Sequence, residues 1–292
     1  MIILRRFYIK TAVLLLFFIA FIGGKSYRAP LEIWFFDVGQ GDSTFAKLPN
    51  GETLLIDAGN ELDGLPIAVF LLKNGVREID HFIITHPHED HLGGADVVLE
   101  LLRVKKIYTP TVYKDDIPNT LCYNNFISAA KNEGCDIRDI FAGSVLIDEK
   151  SLSLYCISPT RGNKAVLNEY SAVLLLRFGA CRFLLAADSE KTNERDMLEK
   201  DVPECDLLRV AHHGSDTSSC KAFLEAVNPR FSVISLASYN PYGHPSGEVL
   251  QRLHSVGSEI YRTDLHGTLK VISNGKTLRI SEQNISLDGD IK

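Results

Sequence analysis

Residues 85–94 read Thr-His-Pro-His-Glu-Asp-His-Leu-Gly-Gly, a run that packs three imidazoles and the carboxylate of Asp90 into one short loop. Histidine is scarce, nine in 292 residues, so three of them in an H-x-H-x-D-H frame point to a metal site and not to a solvated polar loop. The flanks fix its setting. Residues 79–85 read as a short buried strand, and Gly93, Gly94 and the apolar pattern over 96–102 read as a loop giving way to a helix, which puts the motif at a strand's carboxyl end. On near-extended chain His86 and His88 point to the same side and can grip one ion. Asp90 and His91, on the turn into the helix, face a neighbouring position, so one loop can serve two metals. Imidazole nitrogen and carboxylate oxygen suit Zn²⁺, one ion or two, at roughly 2.0–2.2 Å, and Mn²⁺ or Fe²⁺ is chemically tolerated.

A hydrophobic content of 45% lets the chain bury one large core or two modest ones. Strands come mostly in clusters with single helices between them, which predicts sheets covered on their outer faces by helices. Two such halves form one four-layer α/β domain over residues 29–282, with no repeat and no linker to divide it. The stretch 110–140 reads as irregular, and 283–292 as a frayed polar tail. Residues 1–28 carry a basic flank, Arg5, Arg6 and Lys10, ahead of the apolar run 11–22 of an export signal or membrane anchor, so the body is expected outside the cytoplasm, membrane-held or secreted. That run is shorter than the roughly 17–25 residues of a spanning helix, although 7–24 reaches if Lys10 snorkels.

Net charge is −6, which excludes a global basic field for holding nucleic acid. A polyanion would need local capture, by Arg103, Lys105 and Lys106 or by Arg161 and Lys164. The six cysteines show no C-x-x-C spacing, which argues against a thiolate metal site; in an exported protein some could pair, while Cys156 and Cys181, in apolar strand patterns, read as buried free thiols. Further metal ligands must then come from later strand ends. Asp188 ends the apolar strand 183–187, where its carboxylate can bridge two cations or simply cap the next helix beside Glu190. His212 and His213 end the strand 207–211, and His244 lies in the turn-rich segment 240–245, which could project its ring inward.

Asp37-Val38-Gly39-Gln40-Gly41-Asp42, Leu55-Ile56-Asp57-Ala58-Gly59, the 85–91 motif, Asn168-Glu169-Tyr170-Ser171, Ala187-Asp188, Val210-Ala211-His212-His213-Gly214-Ser215 and Tyr242-Gly243-His244-Pro245 occur in this order. In that order they resemble the metallo-β-lactamase superfamily, and within it the branch that contains the hydrolase domain of the competence DNA-uptake protein ComEC. The likeness spans roughly 31–280 and implies an αββα sandwich with a metal site at one sheet edge. ComEC also has a multi-helix membrane channel, which this sequence does not show, so a stand-alone exported domain is expected and DNA uptake is not. Exported phosphorylcholine esterases of wall teichoic acid belong to the same broad fold.

The resemblance implies that His86 and His88 bind one metal, Asp90 and His91 the other, that Asp188 bridges, and that His244 completes the second site. It puts His213 beside the leaving or non-bridging oxygen with His212 orienting it, and makes Asp57 the group that fixes a ligand imidazole. Where many members supply another histidine, this chain has Asn168 and Ser171, so the first site is expected to be weak, labile or filled by water. The activity implied is hydrolysis by a metal-held hydroxide, on a phosphodiester first, nucleic acid or a cell-wall polymer included, and on a lactam or thioester second. A non-catalytic nucleic-acid or wall-binding module is the rival of another class. No protein partner is expected.

Overall fold

A computed structural model describes residues 29–283 and 285 of the chain; the 1–28 segment and most of the expected tail lie outside the described residues. Alternation of side chains along the first strand sets the architecture. In Leu31–Phe35 and the residue after it, Leu31, Ile33 and Phe35 face one way and Trp34 and Phe36 the other, as a period of two requires. Both faces are buried, so this strand belongs to a sheet covered on both sides.

One sheet has eight strands, in the order Leu278–Gln283, Thr268–Ser273, Leu31–Phe35, Thr44–Lys47, Thr53–Ile56, His81–Ile83, Ile107–Thr109 and Ile137–Asp139. A second has seven, in the order Glu259–Arg262, Phe231–Ile234, Leu207–Arg209, Cys181–Leu185, Val173–Phe178, Leu152–Ser158 and Val145–Glu149, and Glu78–Ile79 pairs with Arg103–Val104 as a small third sheet. A core of Leu31, Ile33, Phe35, Leu54, Leu154, Leu174, Leu176 and Phe183 fills the space between the two large sheets. Helices Gly64–Lys73, Ala95–Leu101 and Leu121–Glu133 contribute to the apolar cluster on the outer face of the first sheet, and Lys191–Leu198, Lys221–Val227 and Gly247–Ser255 to that of the second. The chain is a four-layer αββα sandwich.

Several elements depart from the sequence reading. The stretch expected to be irregular holds the thirteen-residue helix Leu121–Glu133, and the strand Val145–Glu149 was not anticipated. The helix buries only Phe126, Ala129 and Ala130, so its apolar stripe is narrow, while Thr120 caps its start through Tyr123 N–H and Gly134 closes it at φ +73°. The last strand continues to Gln283, past the expected start of fraying.

Topology brings the motifs to one edge. Thr53–Ile56 runs parallel to His81–Ile83, and Cys181–Leu185, Leu207–Arg209 and Phe231–Ile234 run parallel to one another. The segments carrying Asp57, 85–91, Asp188, His212, His213 and His244 all leave carboxyl ends of these strands, where open α/β sheets place ligands. No helix among the described residues is long and apolar enough to cross a membrane. All six cysteines are free thiols, with Cys156 and Cys181 buried.

Candidate metal centre

Asp57 organises the first half of the site. Its carboxylate accepts from Thr85 N–H at 2.8 Å and from the Thr85 hydroxyl at 2.7 Å, and its Oδ2 lies 2.8 Å from His91 Nδ1. The metal loop is thereby tied to the neighbouring strand end. Backbone also closes on it: Asp42 N–H donates to Asp90 O at 3.0 Å, and a Cβ on Gly41 would lie 2.8 Å from that oxygen, so only glycine fits there.

Asp188 and the two later histidines enter from the second sheet. Asp57, Ala187, His212 and His213 have φ of +57°, +48°, +50° and +52°, four of the seven non-glycine residues with left-handed backbone among those described. Strain gathered at one edge in this way is held by surrounding bonds. His212 N–H donates to Ala187 O at 2.9 Å, and Arg209 Nη1 donates to Ala187 O at 2.6 Å and Val210 O at 3.1 Å.

Four side chains converge at the centre. His91 Nε2 is 3.4 Å from Asp188 Oδ1 and 4.0 Å from Asp90 Oδ2, while His213 Nε2 is 3.3 Å from Asp90 Oδ2 and 3.6 Å from Asp188 Oδ2. One donor atom from each of the four lies within 4.8 Å of the others. Their tautomers follow from the partners behind them. His91 Nδ1 donates to Asp57 and His213 Nδ1 to Ser235 O at 2.8 Å, which leaves the Nε2 lone pair of each ring facing carboxylate oxygens. Neither Nε2 nor Asp188 Oδ1 has a hydrogen-bond partner, although all three are buried. Lone pairs facing lone pairs in a buried cluster call for a cation between them, and two imidazole nitrogens with two carboxylates form a donor set that a borderline divalent ion accepts.

The pKa directions express the same demand. Burial lowers the affinity of His91 for a proton, but Asp188, Asp57 and Asp90 outweigh it and hold the imidazole well above its usual value. His213 is raised against burial by Asp188 and Asp90. Burial works against charge on Asp90 and Asp188, yet the facing histidines keep both carboxyls below the usual range. Burial raises Asp57, against the pull of His91.

The other expected ligands sit around this group. His86 Nε2 is 2.9 Å from His88 Nδ1 and 4.0 Å from Asp188 Oδ2, and burial depresses both rings. Among the described residues these two histidines join no set of three donors as compact as the central one. Asn168 Nδ2 donates to Glu190 Oε1 at 3.1 Å and lies 3.2 Å from His212 Nε2, and its Oδ1 is buried without a partner. His212 Nε2 is 3.9 Å from Asp188 Oδ2.

His213 and His244 stand differently toward this group. His213 belongs to the central group, because its Nε2 reaches Asp90 and Asp188 while Ser235 O holds the far side of the ring. His244 lies outside it, half-buried, with its ring 5.7 Å from that of His212 and stacked on Tyr242. Burial, then the charges of His212 and His213, lower its pKa. A cavity of about 280 Å³ opens over the centre, lined by Gln40, His88, Glu89, Asp90, Asp188, His212, His213, Tyr242 and His244.

Sequence reasoning missed Arg209 and Asp42. Arg209 is 1% exposed, its Nη2 is paired with Asp42 Oδ2, and its Nη1 is 3.8 Å from Asp188 Oδ1. The available signal was an arginine inside the apolar run Leu207-Leu208-Arg209-Val210, a residue that a buried strand keeps only with a partner. The proposed anion-capturing clusters are partly neutralised: Lys105 pairs with Glu78 and Asp80 at 2.6 and 2.7 Å, and Arg161 with Asp139 at 3.0 Å.

A sequence profile of the metallo-beta-lactamase superfamily matches residues 36–238. The chain belongs to that superfamily. Its similar relatives include ComE operon protein 3 of Bacillus subtilis, 31% identical over 258 residues that make up 82% of this chain and 32% of that protein. Recombination protein 2 of Haemophilus influenzae is 29% identical, over 80% of this chain and 28% of its own length. Competence protein ComA of Neisseria gonorrhoeae is 29% identical, over 83% and 32%. The chain thus spans about a third of the length of these relatives. Among solved structures, CmlA, a diiron beta-hydroxylase from Streptomyces venezuelae, matches with a TM-score of 0.55 and 16% identity over 87% of this chain and 54% of that one, a likeness of fold alone.

Proposed function

We propose that the chain is a phosphodiesterase whose divalent cation is held by Asp90, His91, Asp188 and His213. The observation that carries this reading is the pair of buried imidazoles, each anchored through Nδ1, whose Nε2 atoms face two carboxylates with no hydrogen-bond partner. A divalent ion there supplies a Lewis acid and lowers the pKa of a bound water from ~15.7 toward ~7. The chain's own groups do the rest. Asp90, the most solvent-accessible of the four, faces the cavity and can accept the attacking water's proton as the new P–O bond forms and the bond to the leaving oxygen breaks. His244, whose pKa is lowered chiefly by burial, can donate a hydrogen bond to the oxygen on which charge develops, the part first assigned to His213. His86 and His88, with Asp188 between the two positions, would take a second and weaker ion, with Asn168 a poor substitute for imidazole there.

The distinction between His213 and His244 is testable. His213→Ala is expected to lose the tightly bound metal, whereas His244→Ala should keep it and lose about 10²–10³ in kcat on a phosphodiester. Metal analysis beside steady-state rates decides. Retention of metal by His213→Ala with its loss from His244→Ala would reverse the two parts. The cleavage of a lactam or thioester but no phosphodiester would replace the substrate class, and metal binding with no turnover of any of them would leave a binding module.

The basic-flanked apolar run at 11–22 supports an extracytoplasmic position for the domain, anchored or released. Cell fractionation should find it in the membrane or secreted fraction. Full-length protein in the soluble cytoplasm would contradict that location.

A further inference from the structure

The cavity over the metal centre is lined by three carboxylates, Glu89, Asp90 and Asp188, and by no lysine or arginine. Arg209, the nearby guanidinium, is buried and committed to Asp42. A phosphodiester entering this site therefore finds no lysine or arginine among the lining residues with which to hold its flanking groups. The cavity does offer an aromatic face. Tyr242 is 67% exposed although it lines the cavity, and its ring lies 5.6 Å from that of His244 at an interplanar angle of 27°. Tyr239, three residues earlier on the same segment, is 92% exposed.

This segment is firmly built for one so exposed. Asn240 Nδ2 donates to Ala237 O at 3.2 Å and His244 O at 2.8 Å, its Oδ1 accepts from His244 N–H at 2.9 Å, and Ala237 N–H donates to Gln40 Oε1 at 3.4 Å. The turn that carries Tyr242 is thus braced and one face of its ring rests against His244, so a flat ligand on the other face adds little ordering cost. Neither tyrosine joins a hydrophobic core cluster.

We propose that Tyr242 is a specificity-determining residue: its ring stacks on a planar ring, such as a nucleobase, attached to the phosphodiester, and substrates are selected by that contact instead of by basic side chains. This rests on the phosphodiesterase reading. Base–aromatic stacking changes affinity by roughly five- to 150-fold. Two esters with the same leaving group, thymidine 5′-(4-nitrophenyl phosphate) and methyl 4-nitrophenyl phosphate, compare a ring-bearing with a ringless substrate on the metal-loaded full chain. The wild type should favour the thymidine ester by about tenfold or more, chiefly through KM. Tyr242→Ala should largely abolish that preference and Tyr242→Phe should keep it.

An unchanged preference in Tyr242→Ala, or its loss in Tyr242→Phe as well, would overturn the proposal. Calorimetric binding of thymidine 5′-monophosphate against methyl phosphate, on the same three proteins, separates this idea from the hydrolysis reading. Were neither ester cleaved, the hydrolysis reading would fail, and the dependence of nucleotide affinity on the Tyr242 ring would still decide the stacking proposal: retained by Phe and lost in Ala supports it, indifference to both refutes it.

Discussion

Asp188→Ala should lose metal and activity together, with kcat/KM on any cleavable phosphodiester falling by on the order of 10³ or more. Asp188 faces three of the candidate ligand imidazoles. Its Oδ1 is 3.4 Å from His91 Nε2, and its Oδ2 is 3.6 Å from His213 Nε2 and 4.0 Å from His86 Nε2. Removing it deletes a donor from both positions and leaves three imidazoles facing one another without the carboxylate that holds two of them above their usual pKa. Metal content and rate should fall in the same variant. Full metal occupancy with lost activity would make Asp188 a catalytic group and not a ligand.

Arg209→Met is expected to be the most destabilising single change near the site. Arg209 and Asp42 form a buried ion pair, and the same guanidinium also holds the Ala187 and Val210 carbonyls. Losing one partner of such a pair leaves an uncompensated charge in a buried position, a cost of about 3–5 kcal/mol. For a domain of this size that corresponds to a fall of roughly 6–20 °C in Tm. Adding Asp42→Asn to Arg209→Met should restore part of the loss, because the stranded charge is then gone. A single variant within about 1 kcal/mol of wild type would show that Asp42 finds other compensation.

How much of this was legible beforehand depends on the kind of signal each element carries. The sandwich was readable because its strands alternate or run fully apolar and its outer helices, such as Gly64–Lys73, are strongly hydrophobic. Leu121–Glu133 escaped because only three of its thirteen residues are buried, and Val145–Glu149 because an edge strand with two exposed positions carries little pattern. Local motifs located the clustered residues of the metal loop, since spacing within one turn fixes their neighbourhood. Spacing could not say which of His213 and His244 reaches the centre. That choice is made by Ser235 O behind His213 and by the Asn240-clamped turn that carries His244, both long-range or loop contacts with no periodic trace. The Arg209–Asp42 pair joins residues 167 positions apart, which no local pattern encodes.

The central claim is that one divalent cation lies among Asp90, His91, Asp188 and His213. Anomalous diffraction from crystals of the metal-loaded protein tests it most directly. The expected result is a peak at roughly 2.0–2.2 Å from both His91 Nε2 and His213 Nε2 and within bonding distance of the Asp90 and Asp188 carboxylates. A peak bonded to His244 in place of His213, or no peak in this group from protein that analyses as metal-bound, would contradict the account.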